Sequence, residues 1–186
     1  MKSKEWLDRQ NRDFYVKKAN KIGYLSRSAF KILEIEKKFK LIIESKNILE
    51  LGSSPGGWSQ VVFEIKDTAK IYAFDELDMK FSHPNMKFIK ENFLTYDYSK
   101  IPKKFDLILC DIAPNTTGHR TTDHLRISSM IEDIISVLDL IALPSSSFVF
   151  KIWKGSEEIR IINRLKKKYH ISNPCHLEQN LQKYLL

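Results

Sequence analysis

Cysteine is scarce in this 186-residue chain: only Cys110 and Cys175 occur. That is too few for a disulfide scaffold and is the sparing use expected in a reducing cytoplasm. Neither has a second cysteine or a histidine at metal-ligand spacing, so no metal is expected. Long apolar runs are also missing. A membrane span needs about 18 residues, and Asp133 and Asp139 interrupt the longest candidate. The opening MKSKEWLDRQNRD has no apolar core for a secretory signal, and its Glu5, Asp8 and Asp13 are out of place in an organellar transit peptide. Glycine and proline number six each, and no linker, repeat or low-complexity stretch is visible. What is present, 42% hydrophobic and 29% charged residues, is the balance of one soluble globular domain with a sizeable core. A single cytoplasmic domain spanning 1–186, monomeric and without a membrane partner, is the expectation.

Acid is outnumbered by base, 23 Asp and Glu against 31 Lys and Arg, for a net charge of +8. The surplus is concentrated: residues 1–40 carry twelve Lys/Arg and five acids, so nearly all of it comes from this segment. Such a balance favours a polyanionic partner. Trp6, Phe14, Tyr15 and Tyr24 interleave with the basic residues, where they could pack helices or stack on unpaired bases. Residues 1–44 read as two helices, a basic helical extension for RNA preceding a core of residues 45–186.

Within the core, short β-branched runs alternate with amphipathic segments, the pattern of parallel strands joined by crossover helices. Strands are predicted at Asn47–Leu51, Lys70–Phe74, Met86–Ile89, Phe105–Cys110 and Ser147–Ile152, with weaker ones at Tyr169–Ser172 and Lys183–Leu186. Helices are predicted at Gly57–Ile65, Thr122–Ala142 and Glu157–Lys168. The fold class is doubly wound α/β.

Two features point to a ligand. The run Glu50-Leu-Gly52-Ser-Ser-Pro-Gly56-Gly57-Trp58 turns a buried strand into a helix through small residues, where a ligand can approach the backbone. Its spacing is neither G-x-G-x-x-G nor a P-loop, which disfavours pyrophosphate cradling and a nicotinamide enzyme. Asp75, closing the next strand, is placed to accept from two ribose hydroxyls. Ligands of open α/β sheets bind beyond the carboxyl ends of strands, and the residues there are Asp75, Asn92, Asp111 and Lys151. A lysine within the apolar run Phe148-Val-Phe-Lys151-Ile-Trp is costly unless paired, so a structural Asp111–Lys151 ion pair is the plain alternative to a catalytic one.

Leu51-Gly-Ser-Ser-Pro-Gly-Gly-Trp-Ser-Gln60, Cys110-Asp-Ile-Ala-Pro-Asn-Thr-Thr-Gly118, Asp123-His-Leu-Arg126 and Tyr24-Leu-Ser-Arg-Ser-Ala-Phe-Lys31 together resemble the FtsJ family of S-adenosylmethionine-dependent ribose 2′-O-methyltransferases. The opening Trp6-Leu-Asp-Arg and Asp13-Phe-Tyr-Val-Lys-Lys-Ala19 resembles its bacterial branch, which methylates a uridine of large-subunit ribosomal RNA. The resemblance implies a Rossmann-like fold, a mostly parallel twisted sheet with helices on both faces. It implies S-adenosylmethionine held by Gly52, Ser54, Pro55, Gly56, Gly57, Trp58, Asp75, Asn92 and Asp111, and ribosomal RNA within the large subunit as partner. It also implies a catalytic tetrad, for which Lys31, Asp111 and Lys151 match three members. Gln182 stands at the fourth, usually glutamate, position, and Asn92 where an aspartate is usual. Lys151 would take the hydroxyl proton, Asp111 would orient it, and Lys31 would hold the hydroxyl or a neighbouring phosphate. Two other readings carry over: a catalytically weakened RNA-binding ribosome-assembly factor, made less idle by Gln182, and a 2′-O-methyltransferase acting on tRNA.

Overall fold

The computed structural model describes residues 12–101, 104–112, 119–153, 156–167, 175–176 and 182–185. Three helices come first: α1 (Phe14–Ile22), α2 (Ala29–Phe39) and the single turn α3 (Leu41–Glu44). Asp13 starts α1 by accepting from the backbone N–H groups of Tyr15 at 2.8 Å and Val16 at 3.2 Å, and it also pairs with Arg27. That fastens α1 to the segment leading into α2. Gly23 ends α1 in the left-handed region at φ 94°, which glycine adopts at little cost. The two helices expected here are thus present with one added turn, while Trp6 lies outside the described residues.

The core follows as β1 (Asn47–Leu51), α4 (Gly57–Ile65), β2 (Lys70–Phe74), β3 (Met86–Ile89), β4 (Phe105–Cys110), α5 (Arg120–Ile141), β5 (Ala142–Trp153), α6 (Ser156–Lys166), β6 (Cys175–His176) and β7 (Gln182–Leu185). One seven-stranded sheet has the order β3-β2-β1-β4-β5-β7-β6. The first five strands are parallel, and β7 runs antiparallel to both β5 and β6. The chain moves outward from β1 to β3, then returns to place β4 on β1's other side. Ligands of such sheets bind at this reversal, beyond the carboxyl ends of β1 and β4.

Two boundaries differ from expectation. β5 begins at Ala142 rather than Ser147, because Ala142 pairs with Phe105 across a register irregularity. The Ser146 hydroxyl bridges it, accepting from the Leu143 N–H at 2.7 Å and donating to the Phe105 carbonyl at 2.5 Å. A Pro-Ser-Ser-Ser stretch gives no propensity signal for that strand extension. The predicted strand Tyr169–Ser172 lies outside the described residues, and the terminal one is β7, starting one residue early.

Alternation along the strands sorts side chains into two layers. Ile48, Ile71, Leu107, Leu109 and Val149 pack with Ile32 and Ile35 of α2 and with Trp58, Val61 and Val62 of α4. Leu49, Leu51, Phe74, Ile108, Phe150 and Ile152 pack under Ile127, Ile131, Ile134 and Leu138 of α5 and Ile161 and Leu165 of α6. Each fully buried aliphatic or aromatic side chain contributes about 1.5–3 kcal/mol, so both layers are strongly held. Among the described residues no helix is long and apolar enough to cross a membrane. The basic α2 is therefore part of the core: its inner face closes one side of the sheet, while Lys37, Lys38 and Lys40 stay exposed.

Candidate active site

At the end of β1 the chain turns sharply. Gly52 has φ 75°, and a Cβ there would come within 2.9 Å of both Ile112 Cγ1 and the Ile112 backbone nitrogen. Only glycine lets the turn pass the end of β4 without moving it. Asp75, just past β2, ties the turn down, its carboxylate accepting from the Ser54 N–H at 2.8 Å and the Leu77 N–H at 2.9 Å. An ionised carboxylate has about four acceptor positions, so two remain.

A cavity of about 480 Å³ opens at this place, within the range of small-molecule sites. Gly52, Ser54, Asp75, Asn92 and Asp111, all expected on a cofactor, line it, and Leu77, Phe93, Ile112, Met130 and Ile134 supply apolar wall. Asn92 is partly committed: its Oδ1 accepts from the Leu94 N–H at 2.9 Å, and its Nδ2 donates to Glu76 Oε1 at 3.1 Å. One acceptor position and one N–H remain for a ligand.

Pro55, Gly56, Gly57 and Trp58 lie outside the cavity wall, unlike the expectation. Gly56 has φ 112°, with a Cβ there 2.5 Å from Phe81 Cβ, and a Cβ on Gly57 would collide with the Ser26 hydroxyl. Trp58 is buried and donates from Nε1 to the Ser28 carbonyl at 2.8 Å. This half of the motif joins α4 to the segment entering α2, and so fixes where Lys31 falls. Small residues signal close backbone approach, and here the approaching group is the protein's own chain.

Lys31 of α2, Asp111 past β4 and Lys151 of β5 converge. Lys151 Nζ lies 2.9 Å from Asp111 Oδ1 and donates to the Asp111 carbonyl oxygen at 2.5 Å. Both lysines are 7% exposed. Burial lowers the pKa of Lys31 from the ordinary lysine value; Asp111 opposes this, while Lys151 and Arg27 add to it. Two buried amines thus share one buried carboxylate. Asp111 also lines the cavity, so the lysine cluster and the cavity meet at that residue. The fourth expected position is on the neighbouring strand: the register sets Tyr184 opposite Lys151 and Gln182 opposite Trp153.

Glu50 was not singled out by motif reasoning. It is 2% exposed, and its Oε2 accepts from the Ser59 hydroxyl on α4 at 2.5 Å. Burial, with Asp111 and Asp75 nearby, pushes its carboxyl up to about 8, although the Ser59 hydrogen bonds act in the other direction. Its one sequence signal is an acid inside an otherwise apolar strand, two residues before Gly52.

A parallel sheet with a nucleoside-sized cavity at its reversal, beside a buried Lys–Asp–Lys cluster, defines a Rossmann-like α/β enzyme. A sequence profile of FtsJ-like methyltransferases matches residues 24–176. The chain is 34% identical over 192 residues to Ribosomal RNA large subunit methyltransferase E of Novosphingobium aromaticivorans, covering 99% of this chain and 86% of that protein. It is also 34% identical over 178 residues to the protein of the same name from Rickettsia canadensis, covering 90% and 78%. Among solved structures, a ribosomal RNA methyltransferase from Plasmodium falciparum superposes with a TM-score of 0.74 at 25% identity, covering 87% of this chain and 96% of that one. A ribosomal protein L11 methylase from Lactobacillus delbrueckii, at 14% identity and TM-score 0.59, shares the fold. The chain belongs to the FtsJ-like methyltransferase family, and it is a methyltransferase.

Proposed function

We propose that this chain methylates the ribose 2′-hydroxyl of a uridine in large-subunit ribosomal RNA, with S-adenosylmethionine as donor. The observation that carries the reading is the meeting, at Asp111, of a cavity fit for a nucleoside cofactor with a buried lysine pair fit for a hydroxyl proton. The cavity suits S-adenosylmethionine in volume and chemistry. Asp75 keeps two acceptor positions for ribose hydroxyls, Phe93, Ile112 and Met130 offer apolar surface for a base, and Asp75, Glu76, Glu91 and Asp111 favour a cation. When bound, S-adenosylmethionine supplies an electrophilic methyl group on a sulfonium sulfur.

A ribose hydroxyl is a weak nucleophile, so a base beside it speeds attack, typically about 10²–10⁴-fold. Asp111 can balance one lysine charge of the two. Lys151 donates to its Oδ1 and carbonyl oxygens, and a neutral amine can keep both bonds while presenting its lone pair in the third direction. Lys31, whose charged form is weakened by burial, holds the hydroxyl and relays or shares the proton. Asp111 orients Lys151 in the way a carboxylate fixes a catalytic base.

RNA would reach this cluster across α1 and α2, where Lys17, Lys18, Lys21, Lys37, Lys38 and Lys40 are exposed and Phe14 is 69% exposed. Phosphate neutralisation there supplies sequence-independent affinity. The relatives' names support ribosomal RNA over tRNA, and a protein that modifies assembling subunits works in the cytoplasm, here as a monomer. The test is transfer of tritiated methyl groups to large ribosomal subunits lacking the modification, to naked ribosomal RNA and to tRNA. Incorporation into the large subunit is expected. Incorporation into tRNA alone would overturn the substrate assignment.

A further inference from the structure

Three carboxyl groups surround the end of β1. Asp75 and Asp111 lie in the cavity wall, and Glu50 lies beneath the Gly52 turn on the sheet face covered by α4. Glu50 is the one removed from water, and the groups that act on it come from each element around it. Asp75 lies past β2, Asp111 past β4, and α4 contributes the hydroxyl and backbone N–H of Ser59. Lys31 and Lys151 are coupled to Asp111. A fully buried acid next to two other carboxylates holds its proton until a positive charge arrives.

We infer that Glu50 is a positioning residue that exchanges its proton for the positive charge of the methyl donor: binding a sulfonium cofactor ionises Glu50 and releases one proton. This rests on the S-adenosylmethionine reading above. The balance is simple: neutral Glu50 plus the cation gives the Glu50 carboxylate with bound cation and a proton to solvent. The carboxylate, held by Ser59 on the first turn of α4, then sits under the turn as a counter-charge to the sulfonium. The demethylated product has a neutral thioether in place of that sulfonium, so Glu50 recovers its proton once the methyl is gone. The site therefore holds donor more tightly than product, and more so as pH rises.

The sign follows from linkage. In the free protein Glu50 is protonated below about 8, so donor binding weakens as pH falls below that value, by up to about tenfold per unit. Above it, affinity levels off.

The experiment is calorimetric titration of the full chain with S-adenosylmethionine and with S-adenosylhomocysteine, in buffers of different ionisation enthalpy, from pH 6 to 9. Glu50→Gln serves as the reference, since glutamine reproduces the shape of the neutral carboxyl and can still accept from Ser59. It also cancels protons contributed by the ligand's own amino group. At pH 7 the native chain should release close to one proton more than Glu50→Gln with S-adenosylmethionine, and distinctly fewer with S-adenosylhomocysteine. Infrared difference spectra of the native chain should show loss of a protonated-carboxyl stretch on donor binding, a readout that does not depend on the variant folding. Equal proton counts for native and variant, or no carboxyl band change, would overturn the inference. Failure of either ligand to bind would instead overturn the cofactor reading.

Discussion

Replacing Lys31 with methionine separates what the lysine cluster does for stability from what it does for catalysis. Lys31 and Lys151 are each 7% exposed, and Asp111 is 16% exposed, so the native cluster buries two amines against one carboxylate. Lys151 approaches Asp111 closely, at 2.9 Å and 2.5 Å. Lys31→Met leaves that pair balanced and removes the amine whose charge burial opposes. Exchanging buried ionic groups for apolar ones of similar size is often neutral or stabilising by about 1–4 kcal/mol, and a gain at the low end, about 1 kcal/mol, is expected. Asp111→Asn does the reverse: it strands two buried amines and should cost about 3–5 kcal/mol. Because the folded-state pKa of Lys31 is lowered, the folded protein binds fewer protons than the unfolded one between that pKa and the ordinary lysine value. Native stability should therefore rise with pH across that window, and the Lys31→Met slope should be flatter. Urea unfolding from pH 7 to 10 reads both the order and the slopes, while methyl transfer by Lys31→Met should be nearly abolished. A Lys31→Met chain destabilised by more than about 1 kcal/mol would make Lys31 a structural cation and refute the charge accounting.

Other expectations follow from the same geometry. Lys151→Met should lower single-turnover methyl transfer by about 10²–10⁴-fold while RNA affinity in a filter-binding assay stays near the native value. Gln182→Glu should change turnover only modestly, since position 182 is one strand away from Lys151, opposite Trp153; a gain of ten-thousand-fold would show that three residues do not suffice. Gly57→Ala drives a methyl into Ser26 at the α4 joint and should lower stability by about 1–3 kcal/mol, measured by urea unfolding. Changing Lys17, Lys18 and Lys21 to glutamine should flatten the dependence of log RNA affinity on log salt by about 0.7 for each phosphate no longer neutralised, with little change in turnover at saturating RNA.

The sheet was legible because its central strands are short apolar runs closed by a polar residue, and strand-end position alone picked out Asp75, Asn92, Asp111 and Lys151. Position along a strand also implied that Asp111 and Lys151 are neighbours, and they lie 2.9 Å apart. The half of the motif from Pro55 to Trp58 was harder, because a glycine that admits a ligand and one that admits another backbone look alike in sequence. Ser26 and Phe81 decide between them only after folding. Glu50 was hidden for a different reason: its importance depends on burial without an adjacent cation of its own, a property of three dimensions. The early start of β5 depends on one bridging hydroxyl, Ser146, across a register irregularity, which no local propensity encodes.

The central claim is ribose methylation of ribosomal RNA by the Asp111-centred site. Its most direct test is nucleoside mass spectrometry of hypomethylated large ribosomal subunits after incubation with this protein and isotope-labelled S-adenosylmethionine, alongside the Lys151→Met chain. Label in 2′-O-methyluridine with the native chain, absent with the variant, is the predicted result. Label on a base, or equal label with both chains, would contradict it.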